Sequence, residues 1–139
     1  SCMTKAQGMN RVGASWKSGW REIGEKRKFF RSAWEANYAR YLEYLKKNGH
    51  ISGWEFEAET FWFDRIKRGC RSYLPDFKVT EADGTFVYHE VKGWMDDRSK
   101  TKLKRMAIHH PKIKLIVIGR KEYTEIKNKL GAVILGWEP

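Results

Sequence analysis

The stretch Leu74-Pro75-Asp76-Phe77, answered after a turn by His89-Glu90-Val91-Lys92-Gly93, constrains this chain more than any other. Phe77-Lys78-Val79 and Thr85-Phe86-Val87-Tyr88 are β-prone runs, and Glu81-Ala82-Asp83-Gly84 between them is a turn sequence whose glycine tolerates positive φ. An antiparallel hairpin follows. If Glu81 faces Thr85, with Ala82 to Gly84 as the loop, Asp76 lies opposite Glu90, and opposed residues project to one face. Lys92, two positions beyond Glu90, joins that face through the strand period. A shift of one residue would separate the three.

Two convergent carboxylates repel, and a divalent cation reverses the sign of that interaction. Hard oxygen donors favour Mg²⁺ or Mn²⁺, which acidify bound water and offset charge developing on a phosphoryl group. The plain alternative is an edge hairpin with a cross-strand salt bridge, so the rest of the chain has to decide.

The 139 residues suit one α/β domain, with 41% hydrophobic and 14% aromatic content arguing against general disorder. The formal net charge of +11 points to a polyanion, nucleic acid first and an anionic membrane surface second. No run approaches the roughly 20 apolar residues of a spanning helix, so a soluble, cytoplasmic protein is expected. Only Cys2 and Cys70 are present, without zinc-finger spacing, which predicts reduced thiols.

Residues 1–30 read as a basic arm ahead of a folded domain over 31–139, because Gly8, Gly13, Gly19 and Gly24 interrupt any helical period. Trp16, Trp20, Phe29 and Phe30 interleave there with Lys17, Arg21, Lys26, Arg27 and Lys28, a mixture suited either to phosphate contact and base stacking or to pinning the arm on the core. Ser32 then offers an N-cap with Glu35 at N3, and Trp34, Tyr38, Tyr41 and Leu45 follow at helical spacing, predicting a helix over 32–48. Glu35 borders its apolar stripe beside Leu42, where a capping role needs no catalytic explanation.

Residues 53–63 alternate in part and predict one or two strands; Glu55, Glu57 and Glu59 read as a solvated strand face in preference to a metal cluster. Asp96-Asp97-Arg98-Ser99 starts a helix whose inner stripe is Leu103, Met106, Ala107 and His110. Arg98, Lys100, Lys102, Lys104 and Arg105 fall in a stretch with no acidic residue between Asp97 and Glu122, and such a one-sign run favours phosphate binding. Residues 113–118 predict a buried strand, so that 86–118 form a βαβ crossover with a parallel pair. A closing helix is expected over 122–130 and a short apolar segment over 132–135.

With these motifs placed, the chain resembles the PD-(D/E)XK nuclease superfamily and, more narrowly, the phage endonuclease I type of Holliday-junction resolvase. Phe30-Arg31-Ser32-Ala33-Trp34-Glu35 is similar to that family's lead-in to its first helix, Pro75-Asp76-Phe77 to its metal-binding strand, and Glu90-Val91-Lys92-Gly93 to its Glu-x-Lys-Gly. Asp96-Asp97-Arg98 with the following lysines, then His110-Pro111, fall in the same order. The likeness spans about residues 25–120. It implies a restriction-endonuclease-like core: an N-terminal helix and a mixed sheet with an antiparallel hairpin and a βαβ crossover. It also implies Mg²⁺ or Mn²⁺ held by Glu35, Asp76, Glu90 and the Val91 carbonyl, with Lys92 assisting the attacking water. The implied substrate is branched DNA cut by a symmetric dimer, contacted through Lys26, Arg27, Lys28, Arg31 and the 98–105 cations. A nicking or flap-cutting phage nuclease of the same fold, or a non-catalytic DNA-binding module, are the alternatives.

Overall fold

The structure, a computed structural model, describes residues 17–139. Residues 1–16, and with them Trp16 and the outer part of the expected arm, lie outside the described residues. From Gly19 onward the expected basic arm forms a hairpin: β1 (Gly19–Ile23) pairs antiparallel with β2 (Lys26–Phe30). Gly24, at φ 63°, makes its turn, so this glycine serves a strand connection. Alternation then divides the side chains. Ile23 and Phe30 enter the core, while Trp20 and Phe29 stay exposed in an edge-to-face pair with centroids 5.8 Å apart.

Ser32 starts α1 (Ala33–Lys47) by accepting the Glu35 N–H on its hydroxyl at 3.2 Å, as its N-cap position predicts. The helix buries Ala36, Tyr38, Ala39 and Leu42 against the main sheet, where aromatic contacts centre on Phe77, tilted against Tyr38 and Phe56 and edge-to-face with Trp54. Each such fully buried large side chain contributes about 1.5–3 kcal/mol.

That sheet has four strands among the described residues. β3 (Ile51–Phe56) is followed by the short pair β4 (Phe61–Trp62) and β5 (Ser72–Tyr73), which form their own antiparallel ladder. β6 (Phe77–Glu81) and β7 (Phe86–Val91) are the expected hairpin, and α2 (Asp97–His109) crosses over to β8 (Leu115–Ile118), parallel to β7. The order is β3-β6-β7-β8, a mixed sheet within an α/β fold. α3 (Arg120–Leu130) closes it.

Phe77, Val79 and Val91 face α1, so the period of two sends Tyr88 and Glu90 to the opposite side, where Tyr88 clusters with Phe61, Tyr73 and the α2 residue Met106. His89 faces α1 as well, its Nδ1 2.7 Å from the Tyr38 hydroxyl, and burial pushes its pKa down to about 4.

Three local expectations change. Residues 113–118 are not a buried strand: β8 is a sheet edge, with Ile116 39% exposed and only Ile118 buried. Within α2, Met106 is buried but Ala107 is exposed, because the helix meets the sheet along a narrower stripe than its apolar residues suggest. Glu55, Glu57 and Glu59 do not share a strand face, since β3 ends at Phe56 and Glu57 takes φ 51°. Glu57 pairs with Arg31, and Glu59 accepts from the Tyr88 hydroxyl at 2.5 Å.

The C-terminal segment is latched back. Asn37, fully buried, donates to the Tyr123 hydroxyl at 2.9 Å and to the Glu138 carbonyl at 2.8 Å, and accepts from the Glu138 N–H. The Glu138 carboxylate receives Arg21 at 2.5 Å and Arg40 at 2.7 Å, tying β1, α1 and residue 138 together.

Candidate active site

The β6–β7 register pairs Phe77 with His89 and Thr80 with Phe86, and Glu81 N–H donates to Thr85 O at 2.8 Å. One further step places Asp76 against Glu90, as the turn predicts. Side chains seal the pairing: the Asp76 N–H donates to Glu90 Oε1 at 3.1 Å, and the Val91 N–H donates to Asp76 Oδ2 at 2.8 Å. Asp76 is 2% and Glu90 9% exposed, so two carboxylates are drawn out of water side by side. Burial of that kind needs compensation.

Some of it comes from neighbours. Lys92 is aligned by its N–H, which donates to Ile118 O at 2.9 Å and carries the parallel ladder one residue beyond β7. Lys92 and Glu90 line a small open cleft together with Tyr73, Met95, Ser99, Lys102 and Leu103. Tyr73, on β5, is the residue that sequence reasoning missed. Burial first, then the negative charges of Glu90 and Asp76 and a hydrogen bond to Glu90, raise its hydroxyl far above the usual phenol range, so it remains a donor. Its only sequence signal was a short β-prone run ahead of Pro75-Asp76; the pairing with Phe61 that aims it is not visible in a linear pattern.

Asp96, the N-cap of α2, accepts the Ser99 N–H at 2.8 Å. Partial burial opposes its ionisation, but the Ser99 bonds and the nearby charges of Lys92 and Lys102 hold its carboxyl below the ordinary range. Both ammonium groups therefore sit where the first turn of α2 meets the cleft.

Glu35 stands at the start of α1, its carboxylate accepting the Arg31 N–H at 2.9 Å. A short relay joins it to the site: the Arg31 guanidinium pairs with Glu57, whose N–H donates to Asp76 O at 2.7 Å. The structure thus brings Asp76, Glu90, Val91 and Lys92 together directly and links Glu35 through Arg31 and Glu57. Among the described residues, no three His, Cys, Asp or Glu side chains form a group that could hold a metal by themselves. Two buried carboxylates and a strand carbonyl nevertheless suit Mg²⁺, which keeps several waters and takes only one or two carboxylates.

The cations expected to bind DNA divide by environment. Arg98, Lys100 and Lys104 are exposed on α2, and Lys28 and Arg27 on the hairpin, where Arg27 lies 4.7 Å from the Trp20 ring centre. Lys26 covers Trp54 at 5.0 Å. Arg31 is engaged by Glu57, and Arg105 clamps the 64–71 loop by donating to Cys70 O at 2.6 Å and Arg68 O at 3.3 Å. Those two side chains are accordingly structural in the first instance, because a guanidinium held by internal acceptors has fewer donors left for phosphate. Lys102 points into the cleft. The same clamp presents Arg65, Lys67, Arg68 and Arg71, all exposed, beside α2.

The family model described as "Protein of unknown function (DUF1064)" matches residues 17–125, and the chain belongs to that family. The matched span contains every residue of the cleft. No curated protein and no solved structure matches the chain. Among the described residues, no helix is long and apolar enough to cross a membrane.

Proposed function

We propose that this protein is a divalent-metal-dependent endonuclease with a restriction-endonuclease-like core, hydrolysing phosphodiester bonds of DNA. The observation that carries this reading is the register-locked pair Asp76 and Glu90, buried together, with Glu90 sharing a cleft with Lys92 beside a cationic helix. Asp76, Glu90 and the Val91 carbonyl would hold the cation, with Glu35 as an outer carboxylate tied in through Arg31 and Glu57. When bound there, Mg²⁺ or Mn²⁺ supplies acidification of water and neutralisation of phosphoryl charge.

The side chains do the rest. Lys92 orients the attacking water or stabilises the developing oxyanion, and Tyr73 forms the apolar wall beside Glu90. Lys100, Lys104 and Arg98 hold the flanking phosphates. The resemblance to phage-type junction resolvases supports branched DNA as substrate and a two-fold dimer as the working form. A non-catalytic DNA-binding module is the second reading, favoured by the fact that each carboxylate already caps a backbone N–H of the facing strand.

Incubation of supercoiled plasmid with wild type and Asp76→Asn, in Mg²⁺ and in EDTA, separates the two. The nuclease relaxes or linearises plasmid only as wild type in Mg²⁺. A wild type that retards plasmid in a gel yet never cuts it is the binding module.

A further inference from the structure

We infer that Lys102 is a second cationic residue of the cleft, contacting a non-bridging oxygen of the phosphate being cut, and is distinct in role from the outward phosphate anchors of α2. The inference rests on the nuclease reading above and extends it to a residue outside the Asp76, Glu90 and Lys92 constellation.

Sequence places Lys102 in the middle of an undifferentiated basic run, with Lys100 on one side and Lys104 on the other. Helical geometry separates them. Ser99, Lys102, Leu103 and Met106 recur at three- and four-residue spacing along one face, which is the face that meets the cleft and the Tyr73 cluster. Lys100 and Lys104 fall outside it and are exposed, whereas Lys102 is half-buried.

Its ammonium is also held. Lys102 Nζ lies 5.8 Å from the centre of the Tyr73 ring, within the range of a cation–π contact. Tyr73 is itself 2% exposed and lies close enough to Glu90 and Asp76 to feel their charges, so the position of this ammonium is coupled to the carboxylate pair. A flexible surface lysine has no such reference point.

Two ammonium groups, Lys92 and Lys102, therefore line one cleft with Glu90 as its acidic wall and Asp96 beside both. A phosphodiester has two non-bridging oxygens and one negative charge, and grows more anionic there as water adds. Lys92 and Lys102 give that charge two positioned donors, the arrangement that stabilises a transition state more than a ground state.

The experiment measures two quantities on a labelled four-way DNA junction: the saturated single-turnover cleavage rate in Mg²⁺, and the dissociation constant by fluorescence anisotropy in Ca²⁺. Lys102→Met keeps the apolar stem over Tyr73, and its melting temperature, compared with wild type, reports folding independently. The expected result is a loss on the order of 10² in saturated rate with less than about 3-fold change in Kd, because a positioned donor acts mainly on the transition state. Lys102→Arg, which restores a cation, recovers part of the rate. Lys104→Ala, by contrast, raises Kd and lowers the salt slope by about one ion. A Lys102→Met variant that cuts at the wild-type rate, or that weakens binding as Lys104→Ala does without slowing the chemistry, overturns the assignment while leaving the nuclease reading intact. A wild type that binds the junction and cuts nothing overturns both.

Discussion

Glu138→Gln should destabilise the fold without touching the cleft. Glu138 receives Arg21 through Nε at 2.5 Å and Nη2 at 2.9 Å, and Arg40 at 2.7 Å, with side-chain exposures of 12% for Arg21, 14% for Arg40 and 23% for Glu138. Glutamine keeps the shape and one acceptor oxygen but leaves two largely buried guanidiniums without a counter-charge. Hydrogen bonds to charged groups are worth about 1.5–3 kcal/mol, and the partial exposure and backbone bonds of this site argue for the lower end of the total, about 2–4 kcal/mol. Urea denaturation at neutral pH reads that difference.

The same group has a pH signature. Burial opposes the ionisation of Glu138, but the hydrogen bonds and charges of Arg21 and Arg40 win and lower its pKa below the unfolded value. A depressed carboxylate contributes stability that is present above the unfolded pKa and is lost as pH falls through the folded one. Wild type should therefore lose stability more steeply than Glu138→Gln on acidification below about pH 4.5. A variant within about 0.5 kcal/mol of wild type at pH 7, or one with the same acid dependence, would show that the latch is a solvated surface contact and refute the reasoning.

Two further outcomes concern the cleft and its surroundings. Asp76→Asn and Glu90→Gln should each keep the melting temperature within a few degrees of wild type while removing cleavage, because shape is retained and ligand charge is not; unfolded variants by circular dichroism would void that separation. Junction affinity should fall steeply between low and physiological salt, at about 0.9 ion per phosphate contact, and Lys100→Ala with Lys104→Ala should flatten the slope. Salt-independent binding would contradict the electrostatic role of α2.

The sheet hairpin and its register were readable because one turn and a period of two determine them: Glu81 against Thr85 leads directly to Asp76 against Glu90. The α1 cap, the βαβ crossover and the basic helix follow equally local rules. What was hidden depends on contacts between distant segments. Tyr73 reaches Glu90 only because β5 pairs with β4, and Lys102 separates from Lys100 and Lys104 only once α2 is seen against that pair. Arg31 read as a phosphate contact until Glu57, turned by a positive φ, took its guanidinium. The hairpin of 19–30 was missed because its glycines look like interruptions, and its inward residues, Ile23 and Phe30, are too few to show alternation. Residue 138 gave no signal, since its partners Arg21, Asn37 and Arg40 lie some hundred positions away.

The central claim is that Asp76 and Glu90, with Lys92, form a hydrolytic site. It is tested most directly by mapping the products of a four-way junction incubated with wild type in Mg²⁺, in Ca²⁺ and in EDTA, beside Lys92→Ala in Mg²⁺. The account predicts symmetric paired nicks by wild type in Mg²⁺ alone, with Ca²⁺ supporting binding but little hydrolysis because its looser coordination positions water less well. It also predicts a loss on the order of 10² or more in rate for Lys92→Ala at nearly unchanged junction affinity. Cleavage that persists in excess EDTA, or wild-type rates from Lys92→Ala, would contradict it and return these residues to a salt-bridged hairpin.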